Sequence, residues 1–217
     1  MPDLTFEARD ARAVPFCMSP TLGLVLRVTD ADGGAIEAVA LDCQVRIDAQ
    51  RRRYSAAEKE RLVEMFGPPE RWAQTLRSLL WTHASVSVPP FRDETEVELQ
   101  VPCTADFNEL AGKFFAGLDE NAQAVPVSLL FSGSIFYRDE QGLLQVTRVP
   151  WSAEATYDLP VAAWREVVTT YYPNTAWLTL RQDVFDRLYA FRTRHGLPSW
   201  EAALERLLAE AQEEARP

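Results

Sequence analysis

Val39-Ala40-Leu41-Asp42-Cys43-Gln44-Val45-Arg46-Ile47-Asp48 alternates apolar and polar side chains over most of its length. Neighbouring side chains of a strand point to opposite faces, so Val39, Leu41, Cys43, Val45 and Ile47 share a buried face while Asp42, Gln44, Arg46 and Asp48 meet water. The stretch therefore reads as a long, half-buried strand, and its neighbours repeat the pattern. Upstream, Leu4, Phe6 and Ala8 alternate with Thr5, Glu7 and Arg9. Leu22, Leu24, Leu26 and Val28 follow, before a turn at Asp30-Ala31-Asp32-Gly33-Gly34. The chain thus opens as a β-hairpin.

Downstream, Ser55 and Glu58 form a capping box for a helix carrying Leu62, Met65 and Phe66, which stops at Gly67-Pro68-Pro69. Trp72, Ala73, Leu76, Leu79 and Leu80 have helical spacing, so residues 55–80 read as a helical hairpin inserted between strands. Val86 and Val88 predict a short strand, and Val97, Leu99 and Val101 alternate with Glu94, Glu96 and Glu98 in the next. Phe107, Leu110, Ala111, Phe114, Phe115 and Leu118 place one stripe on a helix. Val125 to Tyr137 keeps strand parity, with Gly133 marking a bulge or a close backbone contact, and the antiparallel partner runs to Trp151. The fold class is α+β. An antiparallel β-sandwich-like body with six or more strands in a meander occupies 1–151. An α+β C-terminal appendage packed on it occupies 152–217, with Thr175 to Leu180 extended, Asp183 capping a helix, Leu188 and Phe191 facing inward, and Ser199 starting a last helix.

The chain has 217 residues, 47% hydrophobic and 25% charged, enough to bury about 70% of the surface its unfolded state exposes. Lys plus Arg total 22 against 32 Asp plus Glu, a net charge of −10. That sign repels phosphate backbones and anionic lipid, so neither nucleic acid nor a membrane is an expected partner. The first residues lack a secretory pattern, and no stretch approaches about 18 uncharged apolar residues. Cys17, Cys43 and Cys103 are odd in number and widely spaced, the usage of a reducing cytoplasm.

Catalytic signatures fare poorly. Only His83 and His195 exist and no two cysteines stand in a CxxC pair, so neither a metal nor a cofactor is expected. His83, at a strand start, reads as a hydrogen-bonded histidine before it reads as a base. Ser132-Gly133-Ser134 is not a nucleophile elbow, because the strand continues through it. Glu94, Glu96 and Glu98 read as a solvated strand face, and the six tryptophans mainly as core filling. Arg51-Arg52-Arg53 stands out in so acidic a chain. Either it is paired internally, with the Glu94 to Glu98 face or with Glu58 and Glu60, or it meets an anionic partner. Trp200, opening an amphipathic helix, is a second candidate anchor for a partner.

Cys43-Gln44-Val45-Arg46-Ile47 running into Gln50-Arg51-Arg52-Arg53-Tyr54, Trp81-Thr82-His83, Val101-Pro102-Cys103-Thr104, Leu130-Phe131-Ser132-Gly133 and Phe185-Asp186-Arg187-Leu188-Tyr189 together resemble a bacterial, mainly actinobacterial, family of unknown function. Some of its members are encoded beside genes for nickel-iron uptake hydrogenases, so the resemblance implies an accessory role in their assembly or maturation. It carries over no catalytic residue. The expectation is a non-enzymatic accessory protein whose partner-binding residues are Arg51, Arg52, Arg53 and Trp200. The competing reading is a hydrolase or small-ligand binder with a pocket between body and appendage, built on His83, the glutamates and the tryptophans. Self-association through the last helix is a further expectation.

Overall fold

Strand β3 (Ile36–Ile47) carries the alternation that the sequence displays, with Val39, Leu41, Cys43, Val45 and Ile47 all buried. A computed structural model describes residues 2–103, 109–173 and 180–214. The chain divides into two units, Met1–Thr175 and Ala176–Pro217. Among the described residues the first unit holds eight strands in two antiparallel sheets. One sheet orders β1 (Leu4–Ala13), β2 (Thr21–Asp30) and β5 (Glu94–Pro102) as β1-β2-β5. The other runs β4 (Leu79–Val88), β3, β6 (Ala124–Arg138), β7 (Leu144–Arg148), with β8 (Glu154–Pro160) also paired to β6. Phe6 of β1 stacks on Phe131 of β6 with ring centroids 4.4 Å apart, which joins the inner faces of the two sheets. The fold is α+β and β-sandwich-like.

Two departures from a simple meander shape this body. The turn after β2 carries the chain from one sheet to the other, and the buried Asp30 carboxylate holds it by accepting from the amides of Asp3 and Gly34, both at 3.0 Å. Strand β5 likewise leaves β4 to pair with β2. Strand β6 pairs with β3 along one edge, while its other edge is divided: Ala124 to Leu130 pairs with β8, and Ser134 to Arg138 with β7. Gly133 sits between them at φ 140°, where a Cβ would lie 2.0 Å from the Ala40 carbonyl oxygen. The close backbone contact is thus real, and only glycine fits it.

The inserted helices are shorter than their spacing implies. Helices α1 (Ala56–Arg61), α2 (Val63–Phe66) and α3 (Trp72–Thr75) end before Leu76, whose backbone is extended. Leu79 and Leu80 belong to β4 instead, paired with Ile47 and Arg46. The sheet edge offered by β3 wins over helical periodicity there, and β4 runs through His83 rather than starting near it. Helix α4 (Glu109–Ala116) supplies Phe114 and Phe115, both buried, and α5 (Val161–Tyr171) follows β8 with Pro160 at its N-cap. The division expected between 151 and 152 lies inside the first unit, where β8 pairs with β6. The second unit contains α6 (Gln182–Arg194) and α7 (Trp200–Glu214). Thr104, Phe107, Trp177 and the extended stretch expected from Thr175 lie outside the described residues.

Candidate interaction surfaces

The three adjacent arginines have three different surroundings. Ser55 and Glu58 exchange hydrogen bonds at the start of α1, hydroxyl accepting from the Glu58 amide at 3.1 Å and carboxylate accepting from the Ser55 amide at 2.9 Å. The same carboxylate accepts from both terminal nitrogens of Arg52, at 2.8 and 3.0 Å, and from the Asp119 amide at 3.0 Å. Burial alone would raise the Glu58 pKa. The Arg52 fork and the two backbone amides outweigh it and hold the carboxyl below its ordinary range. Arg52 also lies over the Tyr54 ring, 5.0 Å from its centroid. It therefore serves the interior, binding the inserted helices to the segment that precedes β6. Arg51 is exposed and 3.5 Å from the buried Asp48 carboxylate, which also accepts from the Ser128 hydroxyl. Arg53 is exposed.

The acidic face of β5 pairs elsewhere. Arg27 lies between Glu94 at 3.9 Å and Glu96 at 3.3 Å, and Arg12 reaches Glu98 at 2.8 Å across the middle strand, passing over Gly23. His83 is exposed in mid-strand, its Nε2 3.2 Å from the Gln44 amide nitrogen directly across β3. Cys43 and Cys103 are buried, and desolvation pushes both thiols up to about 12, so they act as small apolar side chains. The tryptophans divide. Trp72 and Trp81 are buried and Trp164 stacks on Phe115 at 4.7 Å, whereas Trp151, in the turn between β7 and β8, is 95% exposed and fills no core.

The loop joining β1 to β2 holds residues that sequence reasoning passed over. Val14-Pro15-Phe16-Cys17-Met18-Ser19-Pro20 is uncharged, and Phe16 and Met18 are wholly exposed, at 103% and 107%. Phe16 is held at φ 61°, a left-handed conformation that a side chain ordinarily avoids. Tyr171 at the end of α5 sustains it: its hydroxyl donates to the Val14 carbonyl at 2.7 Å and accepts from the Cys17 amide at 2.9 Å. The available signal was two large apolar residues in an uncharged, proline-bounded turn, where loops are ordinarily polar.

Trp200, in the second unit, packs between Phe185 and Tyr189 of α6, with centroids at 5.2 and 6.2 Å, and the Arg192 guanidinium lies 4.1 Å from its ring centroid. Helix α6 closes at Gly196, φ 61°, where the Leu197 amide reaches the Arg192 carbonyl and the Gly196 amide that of Thr193. The Ser199 hydroxyl accepts from the Ala202 amide and starts α7. Asp183 lies in the first turn of α6, paired with the N-cap residue Arg181. Leu188 and Phe191 are half-buried.

Among the described residues no helix is long and apolar enough to cross a membrane. No curated protein matches the chain. A similar solved structure is the CARDB domain of a Pyrococcus furiosus protein in complex with di-metal ions. It is 13% identical, covers 73% of this chain and 92% of that one, and has a TM-score of 0.28. A family model matches residues 1–216, and the chain therefore belongs to that family, a family of unknown function (DUF6084).

Proposed function

We propose that the chain is a non-enzymatic accessory protein of the cytoplasm that binds a protein partner through the β1–β2 loop. The observation that carries the reading is Phe16, wholly exposed and kept in a left-handed backbone by a tyrosine clamp. Such a conformation costs about 1 to 2 kcal/mol in an L-residue, and a strained, rigid display of apolar side chains is a reason to look for recognition. A pre-ordered loop also binds without first losing its own freedom. Burying Phe16 and Met18 in a partner would contribute about 1.5 to 3 kcal/mol each. Arg51 and Arg53 are proposed as exposed cations of the same unit that favour an anionic partner, Trp200 of the second unit as a separate aromatic anchor, and Arg52 is assigned to the interior. The partner class we name is the machinery that assembles nickel-iron uptake hydrogenases, on the strength of the family resemblance.

The test is capture of the tagged chain from its native host with identification of what accompanies it. The wild type is expected to retain a partner that Phe16→Ser/Met18→Ser loses with its circular dichroism unchanged, and Arg51→Ser/Arg53→Ser is expected to weaken retention. An identical set of proteins with all three forms refutes the loop as a contact surface. A partner lost by the loop variant but unrelated to hydrogenases refutes only the named class.

A further inference from the structure

Helices α6 and α7 present an apolar surface that the described residues of their own unit leave exposed. Among its described residues only Ala203 is fully buried, while Leu204, Leu207 and Leu208 are 37%, 36% and 63% exposed. A segment as short as Ala176–Pro217 is near the size at which one core rarely suffices and association supplies the rest. Val184, Leu188 and Phe191 of α6 and Leu207 of α7 line a groove of about 470 Å³, together with Arg187 and Arg194. Positions 187, 191 and 194 share one helix face, so the two guanidiniums flank an apolar floor. On α7, Leu204 and Leu208 form a stripe with Glu201 and Glu205 beside it, all four exposed. The groove is apolar with two cations, and the stripe is apolar with two anions.

We propose that this groove binds a second copy of the chain. Helix α7 of each protomer lays Leu204 and Leu208 into the groove of the other, with Glu201 and Glu205 against Arg187 and Arg194. Both halves of the complementarity lie on one unit, so a two-fold axis satisfies each groove with the other's stripe. The proposal is independent of the β1–β2 loop, which belongs to the other unit.

Sedimentation velocity of the full chain over a dilution series tests it. The wild type is expected to be a dimer that dissociates on dilution. Leu208→Glu is expected to be monomeric, and Arg187→Glu/Arg194→Glu to raise the dissociation constant about tenfold or more. Adding Glu201→Arg/Glu205→Arg to the latter restores opposite charges and is expected to recover most of the affinity. All these positions are exposed, so circular dichroism should stay at the wild-type signal. A chain that is monomeric at every concentration overturns the proposal, whether another part of the same molecule or a foreign helix covers the groove. So does a dimer that ignores Leu208→Glu, or a charge reversal that the compensating pair fails to rescue.

Discussion

Replacing Glu58 by glutamine separates the structural arginine of the triplet from its neighbours. The carboxylate faces four donors and sits in an ion pair whose side chains are 3% and 12% exposed. Glutamine keeps the shape but removes the charge, and it turns one acceptor into an amide donor aimed at an N–H of Arg52 and a backbone amide. Breaking one side of a buried pair costs about 3 to 5 kcal/mol. For a unit of this size each kcal/mol moves the melting temperature by about 2 to 4 °C, so a fall of about 6 to 20 °C is expected. Urea unfolding followed by tryptophan fluorescence measures the free energy directly, with Trp72 and Trp81 in the core as reporters. Arg51→Ser and Arg53→Ser, at exposed positions, should each stay within about 1 kcal/mol of the wild type. A loss below about 1 kcal/mol for Glu58→Gln, or an equal loss for Arg53→Ser, would refute the assignment of Arg52 to the interior.

The same carboxyl gives an acid dependence of known sign. Its folded pKa is lowered, so its stabilisation is complete above the unfolded value of about 4.3 and disappears as pH falls through the folded one. The stability of wild type minus that of Glu58→Gln should therefore shrink on acidification, and a difference that grows contradicts the linkage. Gly133→Ala places a Cβ 2.0 Å from the Ala40 oxygen at φ 140° and should cost more than about 3 kcal/mol in a urea titration. Gly112→Ala, in α4 where a Cβ has no atom within 4 Å apart from the helix's own backbone, should stabilise by about 0.5 to 1 kcal/mol in the same assay. In thiol labelling Cys17, partly exposed, should react in the native protein, with Cys43 and Cys103 joining only on unfolding. Rapid native labelling of a second thiol would count against the burial described.

The sheets were legible because their strands alternate, and the capping box at Ser55 was legible because it is local chemistry. Which strand joins which sheet was not. Strands β2 and β5 pair through contacts far apart in sequence, and nothing in Leu22 to Val28 states that its next neighbour in the chain lies in the other sheet. Leu76, Leu79 and Leu80 misled for a related reason, since apolar residues at helical spacing also fit a strand when an edge is waiting for them. Internal pairing of the arginine triplet was one of the readings the sequence offered, and Glu58 was among the acids named. The acids of β5 instead meet Arg27 of the adjacent strand β2 and Arg12 of β1 beyond it, because all three strands belong to one sheet. The exposed loop at Phe16 went unread because exposure is a tertiary property. A phenylalanine between two prolines looks the same whether it points into a core or away from one.

The divided outer edge of β6 makes that strand a ruler for two lengths of chain at once. A slip of β6 by one residue would invert the side chains it sets against both β7 and β8, so a shift of that one strand disturbs two pairings together. The connection between them is pinned at both ends, the Val149 amide on the Gly133 carbonyl and the Phe131 amide on that of Ala153, and Pro150, Trp151 and Ser152 stand exposed at its crest. A fluorescent reporter or epitope spliced after Trp151 would therefore ride outside the molecule while the ruler beneath it kept its marks.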